Sequence, residues 1–498
     1  MNVLLLRAET GAQFSPHLGL GYLAASLKKA GHKVKILDNL REEIKYNPED
    51  WDLVGVTAMS TFFSELCMEV KKAKSYGLKT IIGGAHIICD PGQSLKDSGA
   101  DYAAAGEGER TITQLASGMD PSKVEGLYYW ENGKPKKSSP DLSELFKKKI
   151  MYSTKIGGQT RDFINDVDDF GEPAWEIMDP RSYPQTMPHG TIYKESPFAP
   201  IITTRGCPYQ CTYCSAPITA GRKMRYRDPV KVVDEIEKLV NVYGVKEIQI
   251  EDDNFTLTRS HAMGVCEEII KRKIKVHWSL PNGVRIDKLD PELLATMKKA
   301  GCYYMALGIE NANQRILDMI KKRLDKNLVR KVVTWVKESG IDAVGFFMVG
   351  LPTETEEEIM NTINFACSLD LERASFHKAT PLPGTELYDM WLKKYAKNKD
   401  IDWKTFRLDQ FNADWAAVSP KKLANLQKLA FFKFYFSRWR FFKFIYTLKW
   451  NQLYSFFQRV MLVLMPSDWY NRIYYRNAKN TQFINSAARK NLNDNICT

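Results

Sequence analysis

The feature that most constrains this 498-residue chain is a regular alternation of short apolar runs with amphipathic helical segments. Five apolar runs precede residue 110, at 2–7, 33–38, 51–60, 79–85 and 100–109. Strands that alternate with helices form a parallel sheet with helices on both faces. Glycine-rich or polar turns follow these strands, and ligands of such sheets bind outside the carboxyl ends of the strands. The pattern therefore predicts an α/β, Rossmann-like or flavodoxin-like domain with a ligand at one rim.

A second series of apolar runs follows residue 196. Amphipathic helical segments such as 229–244 separate its members, and six β/α units predict a partial (β/α)6 barrel whose active site lies at the carboxyl ends of the strands. The six runs are 199–205, 245–253, 275–285, 303–311, 342–352 and 373–381.

Length and composition bound the rest of the organisation. A chain of this length predicts two or three domains, and we divide it into 1–140, a linker over 141–195, the barrel over 196–390 and a mainly helical region over 391–498. The linker aromatics Phe170 and Trp175 are expected to pack at the domain interface. Nine scattered cysteines and no run long enough to span a membrane predict a cytoplasmic, reducing location.

Three of the nine cysteines lie together in the sequence RGCPYQCTYC, at positions 207, 211 and 214. A structural zinc site takes four ligands, so zinc would need a distant fourth cysteine or histidine. A four-iron cluster also takes four attachments, and three cysteines leave one iron open to another ligand. The spacing therefore favours a [4Fe–4S] cluster held by Cys207, Cys211 and Cys214.

This motif resembles the signature of the radical S-adenosylmethionine (SAM) superfamily. The resemblance implies that the open iron binds the methionine part of SAM and that the reduced cluster cleaves SAM to a 5′-deoxyadenosyl radical. Two contacts are open for Arg285: it binds the SAM carboxylate, or it forms a surface pair with Asp287. The resemblance, with polar residues at the strand ends, implies these SAM contacts: Tyr213, Asp252, Asp253, Asn254, Asn282, Arg285, Glu310, Pro352 and Thr353.

The first region resembles the cobalamin-binding domain that precedes many radical SAM enzymes, through residues 16–38, 54–61, 81–91 and 104–109. The motif D-x-H-x-x-G, which supplies a histidine to cobalt in other cobalamin proteins, is missing, so we expect cobalt without that ligand. His86 is a candidate neighbour of the lower face. The implied cobalamin contacts are His17, Leu18, Gly19, Ser60, Thr61, Gly84, Ala85, His86, Gly106, Glu107, Gly108 and Glu109.

Residues 421–450 contain eight Lys or Arg, no Asp or Glu, and eleven aromatic residues. One interpretation is a helix at the inner face of a membrane, with aromatics in the headgroup boundary and cations on anionic lipid. A second is RNA binding through stacked bases, although we do not expect nucleic acid. The third is a helix packed across the barrel mouth with snorkelling basic side chains.

The resemblance implies a cobalamin-dependent radical SAM C-methyltransferase, of the kind called class B. Such an enzyme uses one SAM to methylate cobalamin and another to abstract hydrogen from a substrate carbon, which then takes the methyl group from methylcobalamin. The expected partners are a small or lipid-like substrate and a flavodoxin-type or ferredoxin-type electron donor.

Three other functions stay open. A cobalamin-dependent cyclase or rearrangement enzyme carries the same motifs. A tRNA methylthiotransferase needs three further N-terminal cysteines, and here that region holds only Cys67 and Cys89. A cobalamin-binding sensor leaves the cysteine loop unexplained.

Overall fold

The computed structural model describes residues 1–8, 15–38, 46–156, 159–183, 193–395, 401–406, 411, 414–437 and 440–447. The expectations for 448–498, and for 438 and 439 within the basic aromatic segment, therefore lie outside the described residues.

The first 140 residues form a seven-stranded sheet with helices on both faces. Its strands are β1 (Asn2–Arg7), β2 (Lys33–Asp38), β3 (Leu53–Thr57), β4 (Lys79–Gly83), β5 (Tyr102–Ala104), β6 (Leu127–Glu131) and β7 (Lys134–Lys137). Its helices are α1 (Leu18–Lys29), α2 (Phe63–Ser75), α3 (Pro91–Ser98) and α4 (Gly108–Ala116). The strand order is β2-β1-β3-β4-β5-β6-β7, with the first five strands parallel. Five parallel strands in the order 2-1-3-4-5 are the flavodoxin-like arrangement, which confirms the predicted class.

The two faces of this sheet follow from the alternation of side chains along β1. Leu4 and Leu6 pack with α2 and α3 in one core, whereas Val3 and Leu5 pack with α1 and α4 in a second core. Successive residues of a strand point to opposite faces, so a run without polar residues requires helices on both sides. At the far edge, β6 and β7 form a hairpin, and its turn residues Asn132 and Gly133 both have positive φ, as a type I′ turn requires.

A short helix and a hairpin follow this sheet, α5 (Ser143–Lys147), β8 (Met151–Ile156) and β9 (Gln159–Ile164). The hairpin was not predicted. After it, Phe170 and Trp175 are buried in the same core as Leu18 of α1 and Val232 of the second half, so these two aromatics pack where the halves meet. The indole Nε1 of Trp175 also donates to Glu235 Oε1 at 2.8 Å.

The second half is an open six-stranded parallel sheet. Its strands are β10 (Phe198–Ile201), β13 (Glu247–Ile250), β14 (His277–Val284), β15 (Cys302–Glu310), β16 (Asp342–Val349) and β17 (Arg373–Lys378), and β11 (Thr204–Arg205) with β12 (Arg225–Tyr226) forms a separate antiparallel pair. The strands of the sheet are hydrogen-bonded in the order β10-β13-β14-β15-β16-β17. In the described residues β10 and β17 are the two edges, so the barrel is partial, as predicted.

The helices of this half pack against the sheet or close its loops. They are α6 (Ala216–Ala220), α7 (Pro229–Tyr243), α8 (Arg259–Lys271), α9 (Pro291–Lys299), α10 (Gln314–Met319), α11 (Lys326–Glu338), α12 (Glu356–Ser368), α13 (Glu386–Tyr395), α14 (Pro420–Phe436) and α15 (Arg440–Thr447). Asp228 caps α7 and Asp290 caps α9, each followed by proline at the first helical position. An aspartate acceptor before a proline satisfies the free amides that begin a helix, which explains these sharp starts.

Helix α14 packs beside α12 and along β17. Leu423, Leu426, Ala430 and Phe434 are buried there, and Gln427 Nε2 donates to the carbonyl of Phe376 at 2.8 Å. One face of the basic aromatic segment is therefore packed on the barrel, against an edge strand. Among the described helices, none is long and apolar enough to cross a bilayer.

Candidate functional site

The carboxyl ends of the two sheets border a shared cavity of about 380 Å³. The first sheet contributes His17, Gly19, Gly55, Thr57, Gly83, Gly84, Gly106, Glu107, Gly108 and Glu109, together with apolar residues of α1 and α4. The second half contributes Ile202, Thr204, Arg205, Thr219, Ala220, Glu251 and Asp253. The predicted rims of both domains therefore meet at one site.

The segment that joins β11 to β12 contains Cys207, Cys211 and Cys214, and we call it the cysteine loop. The amide of Cys207 donates to the carbonyl of Gly221 at 2.9 Å. Gly206 has a φ of 103°, and a β-carbon there would lie 2.3 Å from the backbone oxygen of Lys223. Any larger residue would clash with backbone at this point, so glycine is required immediately before the first cysteine.

The three cysteine thiols are close enough to interact electrostatically. Burial raises the pKa of Cys207 to about 11 and that of Cys214 to about 12, and in both the neighbouring cysteines add to the increase. Metal ligation requires thiolates, so binding at this loop releases protons. In the described part of the chain, no three His, Cys, Asp or Glu side chains are arranged around a point as ligands of one metal ion.

The segment after β13 lies against this loop. Asp252 accepts the amide hydrogens of Thr203 (2.6 Å) and Thr204 (3.1 Å), so its carboxylate braces the backbone that leads into the loop. Asp253 lines the cavity, and burial, reinforced by Asp252, raises its pKa to about 6. Asn254 is 2% exposed, and neither atom of its amide has a hydrogen-bond partner. A buried amide without partners suits a polar ligand group.

Of the remaining predicted SAM residues, Tyr213 lies in the cysteine loop and the others lie at or just after the ends of β14, β15 and β16. Burial, with Glu310 nearby, raises the pKa of Tyr213 well above its usual value. Glu310 has a φ of 67° and pairs with Lys322 at 2.9 Å, and Thr353, which follows Pro352, has a φ of 61°. Non-glycine residues held at positive φ concentrate at functional sites.

Arg285 and Asn282 already have partners in the structure. Arg285 Nε donates to Asp287 Oδ1 at 2.8 Å, which is the second of its two alternatives, and its guanidinium lies 3.8 Å from the centre of the Tyr209 ring. Asn282 Nδ2 donates to the carbonyl of Glu251 at 2.9 Å. Contact of either residue with SAM stays a prediction.

Glu354, next to Thr353, creates a pH dependence of stability. Its carboxylate accepts from Asn311 Nδ2 at 2.6 Å and from two backbone amides, and burial raises its pKa from the usual 4.5 to about 7. The folded state holds this proton more tightly than the unfolded state. The stability it confers is therefore complete below pH 4.5 and is lost as the pH rises through about 7, a change of about 3 kcal/mol.

We expect Glu354→Gln to remove this pH dependence. Thermal unfolding of wild type and variant, measured between about pH 5 and pH 8, should show that wild type loses stability relative to the variant as the pH rises. Glu357→Gln, on the exposed side of α12, is the matched control and should follow wild type. Equal slopes for wild type and Glu354→Gln would contradict the assignment.

The predicted cobalamin residues divide into two groups. The cavity is lined by His17, Gly19, Gly84, Gly106, Glu107, Gly108 and Glu109. Leu18, Ser60, Thr61, Ala85 and His86 are not among the described residues that line it. His86 Nδ1 lies 3.0 Å from Ser60 Oγ, and its ring packs 4.1 Å from Phe63 and 4.6 Å from Trp403. Burial lowers the pKa of His86 to about 4, so its ring is neutral.

Two glycines in the rim show why side chains are small there. A β-carbon on Gly84 would lie 2.5 Å from Thr57 Oγ1, and Gly106 has a φ of 145°. His17 caps α1 by accepting the amide hydrogen of Leu20 at Nδ1, and burial lowers its pKa to about 3. Glycines and aliphatic side chains line this part of the cavity, a surface that suits the flat face of a large ring.

The arginines that join the two halves were missed by sequence reasoning. Arg205 donates to Glu107 Oε1 at 3.2 Å and to Glu109 Oε1 at 2.7 Å, and Arg225 donates to Glu107 Oε1 at 2.7 Å. The guanidinium of Arg205 also lies 4.9 Å from the centre of the Tyr22 ring and 4.3 Å from that of the Phe170 ring. The carboxylates predicted to contact cobalamin thus bind arginines that flank the cysteine loop. The position of Arg205, directly before Gly206 and Cys207, was the available signal.

The geometry agrees with two family models. Residues 5–116 match the B12 binding domain, and residues 201–366 match the radical SAM superfamily. The chain therefore carries a B12 binding domain followed by a radical SAM domain, as its motifs predicted. The first domain takes cobalamin, and the second takes a [4Fe–4S] cluster and SAM.

Three curated relatives are similar over most of this chain. An uncharacterized methyltransferase from Pyrococcus horikoshii is 29% identical over 84% of this chain and 88% of the relative. Cytidylyl-2-hydroxyethylphosphonate methyltransferase from Streptomyces wedmorensis is 28% identical over 74% and 76%. Anaerobic magnesium-protoporphyrin IX monomethyl ester cyclase from Rubrivivax gelatinosus is 29% identical over 75% and 66%.

Two solved structures share the fold. The radical SAM methyltransferase TsrM from Kitasatospora setae, with cobalamin and a [4Fe–4S] cluster bound, has a TM-score of 0.63 at 19% identity and covers 80% of this chain and 76% of its own. The cobalamin-dependent radical enzyme OxsB, with aqua-cobalamin and SAM bound, has a TM-score of 0.64 at 15% identity and covers 86% and 65%.

The described residues fit the three cofactors. The cysteine loop carries three free cysteines, Asn254 offers a buried amide without a hydrogen-bond partner, and glycines of the first domain line the cavity.

Proposed function

We propose that this chain is a cobalamin-dependent radical SAM C-methyltransferase. The observation that carries the proposal is the single cavity that the glycine rim of the first sheet and the cysteine-loop side of the barrel both line. A substrate carbon in that cavity is reachable from both walls. The methyltransferase relatives from P. horikoshii and S. wedmorensis, which match this chain over most of their lengths, support methyl transfer.

The proposal assigns residues 1–140 to cobalamin and 196–390 to the cluster and SAM, with 141–195 as the linker and 391–498 as a helical region. Cys207, Cys211 and Cys214 hold the cluster, Tyr213, Asp253 and Asn254 hold SAM, and the rim from Gly106 to Glu109 holds cobalamin. When bound, these cofactors supply radical formation and methyl transfer.

The chain's own residues position and shield that chemistry. Gly206 lets the loop turn tightly, and Asp252 fixes the backbone of Thr203 and Thr204 before it. The cavity walls are mainly glycine and aliphatic side chains, which limit the polar groups and water able to quench a reactive intermediate. The one-electron reductant remains part of the proposal, of flavodoxin or ferredoxin type.

The test is to incubate anaerobically reconstituted enzyme with methyl-labelled SAM, a reductant and an extract of a strain from which this gene is deleted. We expect label to appear in a new product and deoxyadenosine to form with it, whereas a Cys207→Ala control should give neither.

The second candidate is a cyclase or rearrangement enzyme, favoured by the match to the R. gelatinosus cyclase. Deoxyadenosine with an altered but unlabelled substrate would exclude methyl transfer and support this alternative. Release of labelled methionine does not distinguish the two reactions, because SAM cleavage produces it in both.

A further inference from the structure

Helix α14 carries a second apolar stripe opposite the one packed on the barrel. Leu423, Leu426, Ala430 and Phe434 form the buried stripe. The other stripe consists of Leu429, Phe432 and Phe436, which are 40%, 61% and 56% exposed. These residues are spaced by three and four, so they project from one side of the helix. An amphipathic helix that needed only the barrel would place polar residues there.

The exposed stripe continues onto α15 through ring contacts. The rings of Phe432 and Phe436 stack at 4.5 Å, and Phe436 stacks with Phe441 at 5.1 Å. On α15, Phe442 and Tyr446 are 60% and 92% exposed. We call Leu429, Phe432, Phe436, Phe442 and Tyr446 the aromatic patch. Contiguous exposed apolar side chains of this kind mark interaction surfaces.

The charged residues of the segment that carries the aromatic patch have one sign. Residues 421–450 contain eight Lys or Arg and no Asp or Glu. Lys421 and Lys428 are exposed on α14. Lys422 pairs with Glu356 at 2.7 Å, and Lys433 donates to Asn364 at 2.6 Å, so these two lysines also hold α14 against α12. The patch is thus an apolar face bordered on α14 by lysines, on a helix that packs against the barrel.

We infer that the aromatic patch seats this chain on the surface of an anionic lipid bilayer. Phenylalanine rings and a leucine entering the headgroup boundary, with lysines on anionic lipid, match the residues present. The inference is independent of the reaction proposed above, because the patch lies on α14 and α15 rather than in the cavity.

The test is co-sedimentation of the full-length protein with vesicles of phosphatidylcholine alone and of phosphatidylcholine mixed with phosphatidylglycerol. We expect binding to the mixed vesicles that weakens as salt is raised. The Phe432→Ser/Phe436→Ser double variant should bind the mixed vesicles at least about tenfold more weakly than wild type, because it has lost two apolar side chains. Val242→Ser, which removes an equally exposed apolar side chain from α7, is the matched control and should bind like wild type.

SAM cleavage without vesicles should be the same in all three proteins, which shows that the variants are folded. The inference fails if wild type binds neither kind of vesicle, if it binds both equally, or if the double variant binds like wild type. A further outcome is that wild type binds no vesicles but forms dimers or binds single-stranded RNA, while the double variant does neither. That outcome would instead assign the patch to a second copy of the chain or to nucleic acid.

Discussion

Replacing Cys211 with alanine is expected to reduce SAM cleavage to below detection while leaving cobalamin binding largely unchanged. The physical reason is that each of the three loop cysteines is proposed to supply one of the cluster's attachments, and Cys211→Ala leaves only two of them. The residues proposed to contact cobalamin lie on the other wall of the cavity, so this substitution does not change them. The measurements are iron content, deoxyadenosine formation under reducing conditions, and the absorbance of bound cobalamin.

Cys367→Ala is the matched control for this experiment. Cys367 is a half-buried cysteine of the same barrel, on α12 and outside the loop. The control should keep about four irons per chain, the content of one [4Fe–4S] cluster, and should cleave SAM like wild type. Normal SAM cleavage by Cys211→Ala would overturn the assignment of the cluster, and zinc in place of iron in wild type would do the same.

The second large effect is expected from Arg205→Ala. Glu107 and Glu109 have side chains only 8% and 7% exposed, and Arg205 is the ion-pair partner that Glu109 has in the described residues. Removing one partner of a buried pair leaves an uncompensated charge and costs about 3–5 kcal/mol. The loss should lower the unfolding temperature and weaken cobalamin binding, because the loop from Gly106 to Glu109 loses its anchor.

Three further variants make the Arg205 prediction specific. Arg205→Lys keeps the charge but loses the two-pronged guanidinium, so it should fall between wild type and Arg205→Ala. Glu109→Gln should weaken cobalamin binding without leaving a buried charge on the loop. Arg259→Ala removes an exposed pair with Asp290 and Glu292 and should cost at most about 1 kcal/mol. If Arg205→Ala matched Arg259→Ala in stability and in cobalamin affinity, Arg205 would not be the anchor of the loop from Gly106 to Glu109.

The strands of both sheets were predictable because burial on both faces makes consecutive residues of each strand apolar. Leu4 to Leu6 are fully buried by helices on two faces, so the whole run is apolar. Such a strand can be recognised from the local sequence without knowledge of the tertiary structure. The β8–β9 hairpin was missed for the opposite reason. Met151–Ile156 and Gln159–Ile164 are mixed in polarity, and their pairing depends on distant groups, as when Arg225 lies 5.3 Å from the Phe163 ring.

The site was predictable where its residues lie within one loop and unpredictable where they are separated along the chain. Cys207, Cys211 and Cys214 share a loop, so their spacing alone indicates the chemistry. Glu107 and Arg205 are 98 positions apart, and only the fold brings them together. The resemblance predicts a cobalamin contact for Glu107, but it cannot show that an arginine of the second half also pairs with this carboxylate in this particular chain.

The acids and bases that join the two halves have a consequence for protein engineering. A hybrid built from the first half of one relative and the barrel of another joins a loop that carries Glu107 and Glu109 to a wall that carries Arg205 and Arg225. If the donor of either half has other residues at these positions, like charges or a lone charge are buried at the seam. Successful swaps between relatives should therefore transplant the four residues as a set, whatever crossover point is chosen in the sequence.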